Sequence, residues 1–129
     1  MKVLLDTHAL LWLIEGDQRL PLSLRTLLEQ TSTQKYVSNI SFWELSIKKS
    51  LGKLQTRQSP STMFKQIQMT DTILLDICSH YLTQLEILPF HHRDPFDRLL
   101  IATAMVEGLT LISADRHFLT YEGLNLLWG

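Results

Sequence analysis

The sequence predicts an α/β domain built on a mostly parallel sheet. Three observations carry that prediction. Short apolar runs of strand length, such as Tyr36-Val37-Ser38 and Leu109 to Ser113, alternate with longer stretches of helical periodicity. Val3-Leu4-Leu5 is apolar without interruption, as in a strand buried on both faces. The chain has 129 residues, 45% of them hydrophobic, which suits one core and therefore one domain, 1–129. Strand–helix alternation implies right-handed crossovers and places a ligand beyond the carboxyl ends of the strands, where their order reverses.

The elements follow in order. Asp6 ends the first strand and can cap a helix from Thr7 to Ile14, which stops at Glu15-Gly16-Asp17. Pro21 to Gln30 is the second helix, with Leu22, Leu24, Leu27 and Leu28 on its apolar side. After the strand Tyr36-Val37-Ser38, the run Ser41-Phe42-Trp43-Glu44 has the form of a capping box, with Ile40 and Leu45 as its hydrophobic staple. That helix ends at Gly52. Ser59-Pro60 starts a further helix to about Met69. Its Met63, Phe64, Ile67 and Met69 read as core, although soft methionine-rich faces also serve for docking. Thr72 to Ile77 is the third strand, and Ser79 to Leu88 a helix broken by Pro89. His91-His92 lies in the loop beyond, where paired histidines are ordinarily exposed and metal ligation is the lesser option. Asp94 caps the next helix, Pro95 takes its first position, and Gly108 ends it. Leu109 to Ser113 is the fourth strand, followed by Asp115, a short turn from Arg116 to Leu119, and a last strand from Asn125 to Trp128.

A net charge of −1 excludes a generally basic nucleic-acid binder, so nucleic acid must meet a local patch. Lys48, Lys49, Lys53 and Arg57 form the densest basic run; such a run is ordinarily a solvated face and is also the best local candidate for phosphate contact. The single Cys78 excludes an internal disulfide or a cysteine-based zinc site and fits a reducing compartment. The apolar run before Asp6 is too short for a signal peptide, and no stretch is long enough to span a membrane, so a cytoplasmic location is expected.

The acids carry the chemistry. Each has a structural explanation: Asp6, Asp94 and Asp115 as helix caps, Glu44 in its capping box. Asp97 resists that explanation. Counting along the helix from Asp97 gives Ile101, Ala104, Met105 and Gly108, an apolar face, with Arg98, Thr103 and Glu107 off it. A carboxylate heading a core-facing column must find a partner, because an unpaired buried charge is very costly. Glu44 shares a similar column with Ile40, Ile47 and Leu51. Helix starts that follow parallel strands share one edge of the sheet, so Asp6, Glu44 and Asp115 gather there; Asp97, at the start of the helix leading into the fourth strand, is less obviously on that edge but can join them. Carboxylates within ~5 Å of one another repel, and one must take a proton unless a cation sits among them. Hard oxygen donors without cysteine suit Mg²⁺ or Mn²⁺, and such an ion can activate a water and stabilise a phosphoryl transition state.

Asp6-Thr7-His8, the Glu44 helix, the run Asp97-Arg98-Leu99-Leu100-Ile101-Ala102-Thr103-Ala104 and Ser113-Ala114-Asp115 resemble the acidic motifs of PIN-domain ribonucleases. Within that family the chain resembles the VapC-type toxins of bacterial toxin–antitoxin pairs, over essentially its whole length and in the family's order and spacing. The run Asp94-Pro95-Phe96-Asp97-Arg98 resembles one subgroup, so Asp94 is an addition to the core quartet. The resemblance implies a three-layer fold, a mostly parallel sheet of four or five strands flanked by helices on both sides, and metal-dependent hydrolysis of RNA phosphodiesters by an activated water. Asp6, Glu44, Asp97 and Asp115 would hold Mg²⁺ or Mn²⁺, with Asp94 as an additional candidate, and the hydroxyls of Thr7 and Ser113 would orient the carboxylates. It further implies a homodimer and a small antitoxin docked in a groove near the active site, a groove that the Phe64 helix is placed to line. Charge alone assigns the RNA backbone to Arg98, Arg116 or the run that includes Lys48 and Lys49. Two other function classes remain beside this one. A Mg-dependent phosphohydrolase would use Asp6 as covalent nucleophile, but such enzymes typically place a second aspartate where His8 stands. A non-catalytic protein-binding module would keep the acids only as caps.

Overall fold

The computed structural model describes residues 1–129. Its strands are β1 (Lys2–Leu5), β2 (Gln34–Ser38), β3 (Ile73–Leu75), β4 (Thr110–Ile112) and β5 (Asn125–Leu127). They form one sheet in the order β3-β2-β1-β4-β5, and every pairing is parallel. The helices are α1 (Thr7–Glu15), α2 (Leu22–Glu29), α3 (Asn39–Ser50), α4 (Pro60–Gln68), α5 (Ser79–Ile87) and α6 (Pro95–Glu107), with a 3₁₀ turn at Arg116–Thr120 between β4 and β5.

β1 shows why its sequence is apolar throughout. Val3 and Leu5 enter one core with Ala9, Leu10, Leu24, Leu28 and Met63, while Leu4 enters the other with Leu100, Ile101, Leu111 and Phe118. Successive side chains of a strand point to opposite faces, so a central strand covered on both sides needs apolar residues at every position. α1, α2 and α4 lie over one face and α5 and α6 over the other. α3 contributes to both, through Phe42 and Leu45 on one side and Ile40 on the other. No helix is long and apolar enough to cross a membrane.

The order of the strands matters most for function. The chain runs outward from β1 to β2 to β3, then returns to place β4 on the free side of β1. The carboxyl ends of β1 and β4 therefore flank the point where the order reverses, the position at which open parallel sheets bind ligands. The ladder reaches past β1, where the Asp6 N–H donates to the Ile112 carbonyl at 3.1 Å. Asp6 is thus held by the sheet itself.

Three expectations about elements are corrected. α3 begins at Asn39, and its cap is Ser38, whose Oγ accepts from the Ile40 N–H at 3.2 Å. β2 runs straight into the helix, so Ser41 and Glu44 are interior helical residues and form no capping box. The third strand is confined to Ile73–Leu75, because its flanks lie past the last pairing with β2. Arg98 and Thr103 are buried rather than on an outer face; the whole of Arg98–Ala104 is covered, because α6 packs against α5, α3 and the sheet together. Elsewhere the signals coincide with the elements. Gly16 and Gly108 end α1 and α6 at φ 66° and 65°, a left-handed conformation that glycine adopts without strain. Ser59 and Asp94 cap α4 and α6, each with proline in the first turn.

Candidate metal centre

Four carboxylates approach one another at the edge where β1 and β4 end. Asp6 is the N-cap of α1, accepting from the Ala9 N–H at 2.7 Å, and its side chain is buried. Burial pushes its carboxyl upward; the Ser113 side chain, the Ala9 N–H and the charge of His8 act against that, Glu44 adds to it, and the result is a raised pKa. Ser113 is itself fully buried at the end of β4.

Glu44 comes from the second turn of α3 and is 4% exposed. Thr7 Oγ1 donates to its Oε1 at 2.7 Å and lies 3.1 Å from Ser41 Oγ. Lys48 Nζ, one turn on, holds Oε2 at 2.7 Å. Both oxygens are therefore partnered. Lys48 is drawn into this pair and is not the free phosphate contact expected from the basic run. Lys49 and Arg57 leave the acids altogether, lining a groove of about 830 Å³ with Trp12, Glu15, Asp17 and Arg19.

Asp97 lies in the first turn of α6, half-buried. Burial pushes its carboxyl up, Asp94 and Glu44 add to that, and a hydrogen bond with His92 opposes it; the outcome is a pKa of about 6 against an ordinary 3.8. Asp94 itself is the N-cap of the same helix, accepting from the N–H groups of Phe96 and Asp97 at 2.8 and 3.0 Å. Both of these bonds go to Oδ1, and the charge of Asp94 also acts on Asp97. Asp115 caps the 3₁₀ turn. Its Oδ1 accepts from the His117 N–H at 2.9 Å and lies 2.9 Å from His117 Nδ1. Burial works to raise Asp115, but His117 and the charge of His92 outweigh it and hold its pKa low.

His92 is the residue that sequence reasoning ranked too low, as ordinarily exposed with metal ligation only the lesser option. It lies half-buried rather than free in its loop, with Nε2 2.8 Å from Asp97 Oδ2 and 3.9 Å from Asp115 Oδ2. A usable signal was its position two residues before the cap of α6, from which a side chain reaches the first turn of that helix. Arg98 fixes the same loop. Its guanidinium donates to the carbonyls of Pro89 and Leu88 at 3.0 and 3.3 Å and lies over the Phe90 ring at 4.1 Å. Those are the otherwise unpartnered carbonyls just beyond α5. Arg98 is consequently a buried clamp, and the expectation that it meets RNA is corrected. Arg116 remains exposed beside Asp115.

The donor set fits a divalent cation. His92, Asp97 and Asp115 each offer one ligand atom, all within 4.8 Å of one another, and the charge of Glu44 acts on both Asp6 and Asp97. Carboxylate oxygens with one imidazole and no thiolate suit a hard or borderline ion. On the outer side, Met63 is fully buried in the core rather than exposed for docking. Phe64 instead lines a depression of about 330 Å³ with Phe42, Trp43, Ser46, Pro60 and Lys65.

Comparison with known proteins bears on this arrangement. No curated protein sequence matches the chain significantly. The fold is shared with VapBC2 from Rickettsia felis bound to a promoter DNA fragment, at 19% identity and TM-score 0.77 over 100% of both chains. It is shared with VapBC-1 from nontypeable Haemophilus influenzae, at 16% identity and TM-score 0.70 over 98% of this chain and 97% of that one. A DNA-bound VapBC from Salmonella typhimurium is similar at 16% identity and TM-score 0.69, again over 98% and 97%. The family model of the PIN domain matches residues 3–124, which includes every acid described above. The chain belongs to the PIN-domain family.

Proposed function

We propose that this chain is a divalent-cation-dependent ribonuclease and the toxin of a toxin–antitoxin pair. The observation that carries the proposal is the placing of Asp6, Glu44, Asp97 and Asp115 at one sheet edge, with Asp6 and Asp97 both pushed up by burial. A chain that gathers more carboxylates than it neutralises favours a cation at that place. Asp6, Asp97 and Asp115 would hold Mg²⁺ or Mn²⁺, with Glu44 acting directly or through water. When bound, such an ion supplies positive charge for phosphate oxygens and makes a water more acidic.

The chain's own residues do the rest. Thr7 and Lys48 fix the two oxygens of Glu44, and His117 fixes Asp115, so the carboxylates are oriented before any ligand arrives. Arg116, exposed next to Asp115, is positioned to receive a backbone phosphate. Lys49 and Arg57 extend the positive surface away from the acids. Two further similar structures are described as a toxin–antitoxin complex from Klebsiella pneumoniae and a member of the VapBC family of toxin–antitoxin systems from Mycobacterium tuberculosis, which supports a small antitoxin as this chain's partner. The Phe42–Phe64 depression is its place of contact in this reading, and a homodimer its state.

The test is cleavage of a mixed RNA pool by purified protein with Mg²⁺, Mn²⁺ or EDTA, beside the Asp97→Asn variant. Cutting that requires metal and disappears in the variant supports the nuclease. Folded, antitoxin-free protein that cuts no RNA under any metal, or cuts equally as Asp97→Asn, overturns it.

A further inference from the structure

We propose that His92 is itself a ligand of the cation, and that its nitrogen makes the centre prefer Mn²⁺ to Mg²⁺. The inference rests on the cation site proposed above and adds a donor outside the acid quartet. Its basis is geometric. His92 Nε2 stands 2.8 Å from Asp97 Oδ2 and 3.9 Å from Asp115 Oδ2. Donors bonded to one six-coordinate ion at about 2.1 Å sit roughly 3 Å apart as neighbours and roughly 4 Å apart across the ion. The two separations from His92 are of that size, and all three ligand atoms lie within 4.8 Å of one another, so an ion can enter with modest movement of the chain.

The ring is also held there. It stacks on His117 at 5.5 Å with the planes 14° apart, and meets the edge of Phe118 at 5.8 Å. Arg98 clamps the loop through the carbonyls of Leu88 and Pro89. A side chain so confined loses little further freedom on binding. His117 is the natural control: it is exposed, and its Nδ1 is already turned to Asp115 Oδ1.

The consequence is selectivity. Mg²⁺ is hard, favours oxygen and gives up its waters reluctantly, whereas first-row transition ions accept imidazole nitrogen. One nitrogen among carboxylates therefore strengthens Mn²⁺ binding more than Mg²⁺ binding.

The experiment titrates Mn²⁺ and Mg²⁺ calorimetrically into wild type, His92→Ala, His92→Phe, His117→Ala and Asp97→Asn. Pulsed electron paramagnetic resonance of bound Mn²⁺ then looks for ¹⁴N coupling. His92→Phe keeps a ring between His117 and Phe118, which guards against a folding defect. The expected result is ¹⁴N coupling in wild type and His117→Ala, absent from both His92 variants. The preference for Mn²⁺ over Mg²⁺ should fall about tenfold or more in those variants. Coupling that persists without His92, or Mn²⁺ binding as tight in its absence, overturns the inference; the histidine is then a counter-charge that the ion displaces. Wild type that binds no Mn²⁺, or binding untouched by Asp97→Asn, overturns the cation site itself.

Discussion

Asp17 and Asp97 are the same residue type in opposite circumstances. Asp17 follows α1 at the end remote from the acids, part-exposed with 27% of its side chain accessible, and Arg19 holds its carboxyl down to about 2 through side-chain and backbone hydrogen bonds. Asp97 is half-buried, and burial lifts it to about 6 against the pull of His92, with Asp94 and Glu44 adding to the rise. The contrast separates two uses of a carboxylate. At Asp17 the chain supplies the cation, and the result is a surface ion pair of small consequence. At Asp97 the chain supplies further carboxylates and only one histidine, so the charged form is disfavoured until a cation comes from outside. The raised carboxyl is a cost to the fold that structure alone does not require.

The sharpest way to break this comparison is Asp97→Asn. RNA cleavage should fall by about 100-fold or more, as expected when a cation-holding group is removed. Stability should move the other way. Asp97 has a folded pKa above its unfolded one, so its ionised form weakens the fold above about pH 6, the cost shrinks between pH 6 and 4, and it vanishes below. A shift of two units corresponds to about 3 kcal/mol at full effect, which the part-exposed side chain reduces. The metal-free variant should therefore gain about 1–2 kcal/mol at pH 8 and nothing at pH 4. Thermal melts at the two pH values check this. Equal Tm values at pH 8 would mean that Asp97 is a structural carboxylate like Asp17.

Adding the cation should do to wild type what the substitution does, by another route. Mn²⁺ at a hundred times its Kd should raise stability by about 2.7 kcal/mol at pH 8. EDTA should reverse the gain, and Asp97→Asn should lose most of it. A shift of equal size in Asp97→Asn would place the ion elsewhere.

Arg98 and Thr7 sharpen the comparison from the side of the scaffold. Arg98→Ala removes donors from two carbonyls and a buried stem from the core, and should cost about 2–3 kcal/mol in urea unfolding. A variant that instead weakened RNA binding at unchanged stability would return Arg98 to the substrate. Thr7→Val strips a donor from the buried Glu44 carboxylate and should cost roughly 1.5–2 kcal/mol. A silent Thr7→Val would mean that Lys48 alone holds Glu44.

These two residues also mark where sequence reading stops. The acids were legible because each belongs to a local pattern, a strand end or a helix start, and parallel topology brings such positions to one edge. The same held for the central apolar strand and the caps at Ser59 and Asp94. Arg98 was misplaced because a single apolar column was traced on a helix that is covered nearly all round. The neighbouring run Leu99-Leu100-Ile101-Ala102 already carried that information, since a helix apolar on every side is buried and its arginine must find partners inside. His92 was ranked as exposed, with ligation the lesser option, because its approach to Asp115 joins two separate elements, across a contact that no spacing encodes. The capping box at Ser41 failed because an equally good cap, Ser38, stood at the strand's own end.

The smallest effect belongs to Asp17→Asn, and it is the one that closes the comparison. Asp17 has a folded pKa below its unfolded one, so whatever it contributes is present above about pH 4 and lost as pH falls through about 2. Its partner Arg19 is exposed, and an exposed pair held by flexible side chains is nearly matched by water. At pH 8 the variant should keep the Tm, the Mn²⁺ affinity and the RNA cleavage of wild type within error. Any small difference between the two melting curves should shrink as pH falls from about 4 and vanish below about 2. A large loss of cleavage in Asp17→Asn would show that the groove of Arg19, Lys49 and Arg57 is part of the substrate path. The distinction would then lie between two halves of one site rather than between a compensated carboxylate and one left for a cation.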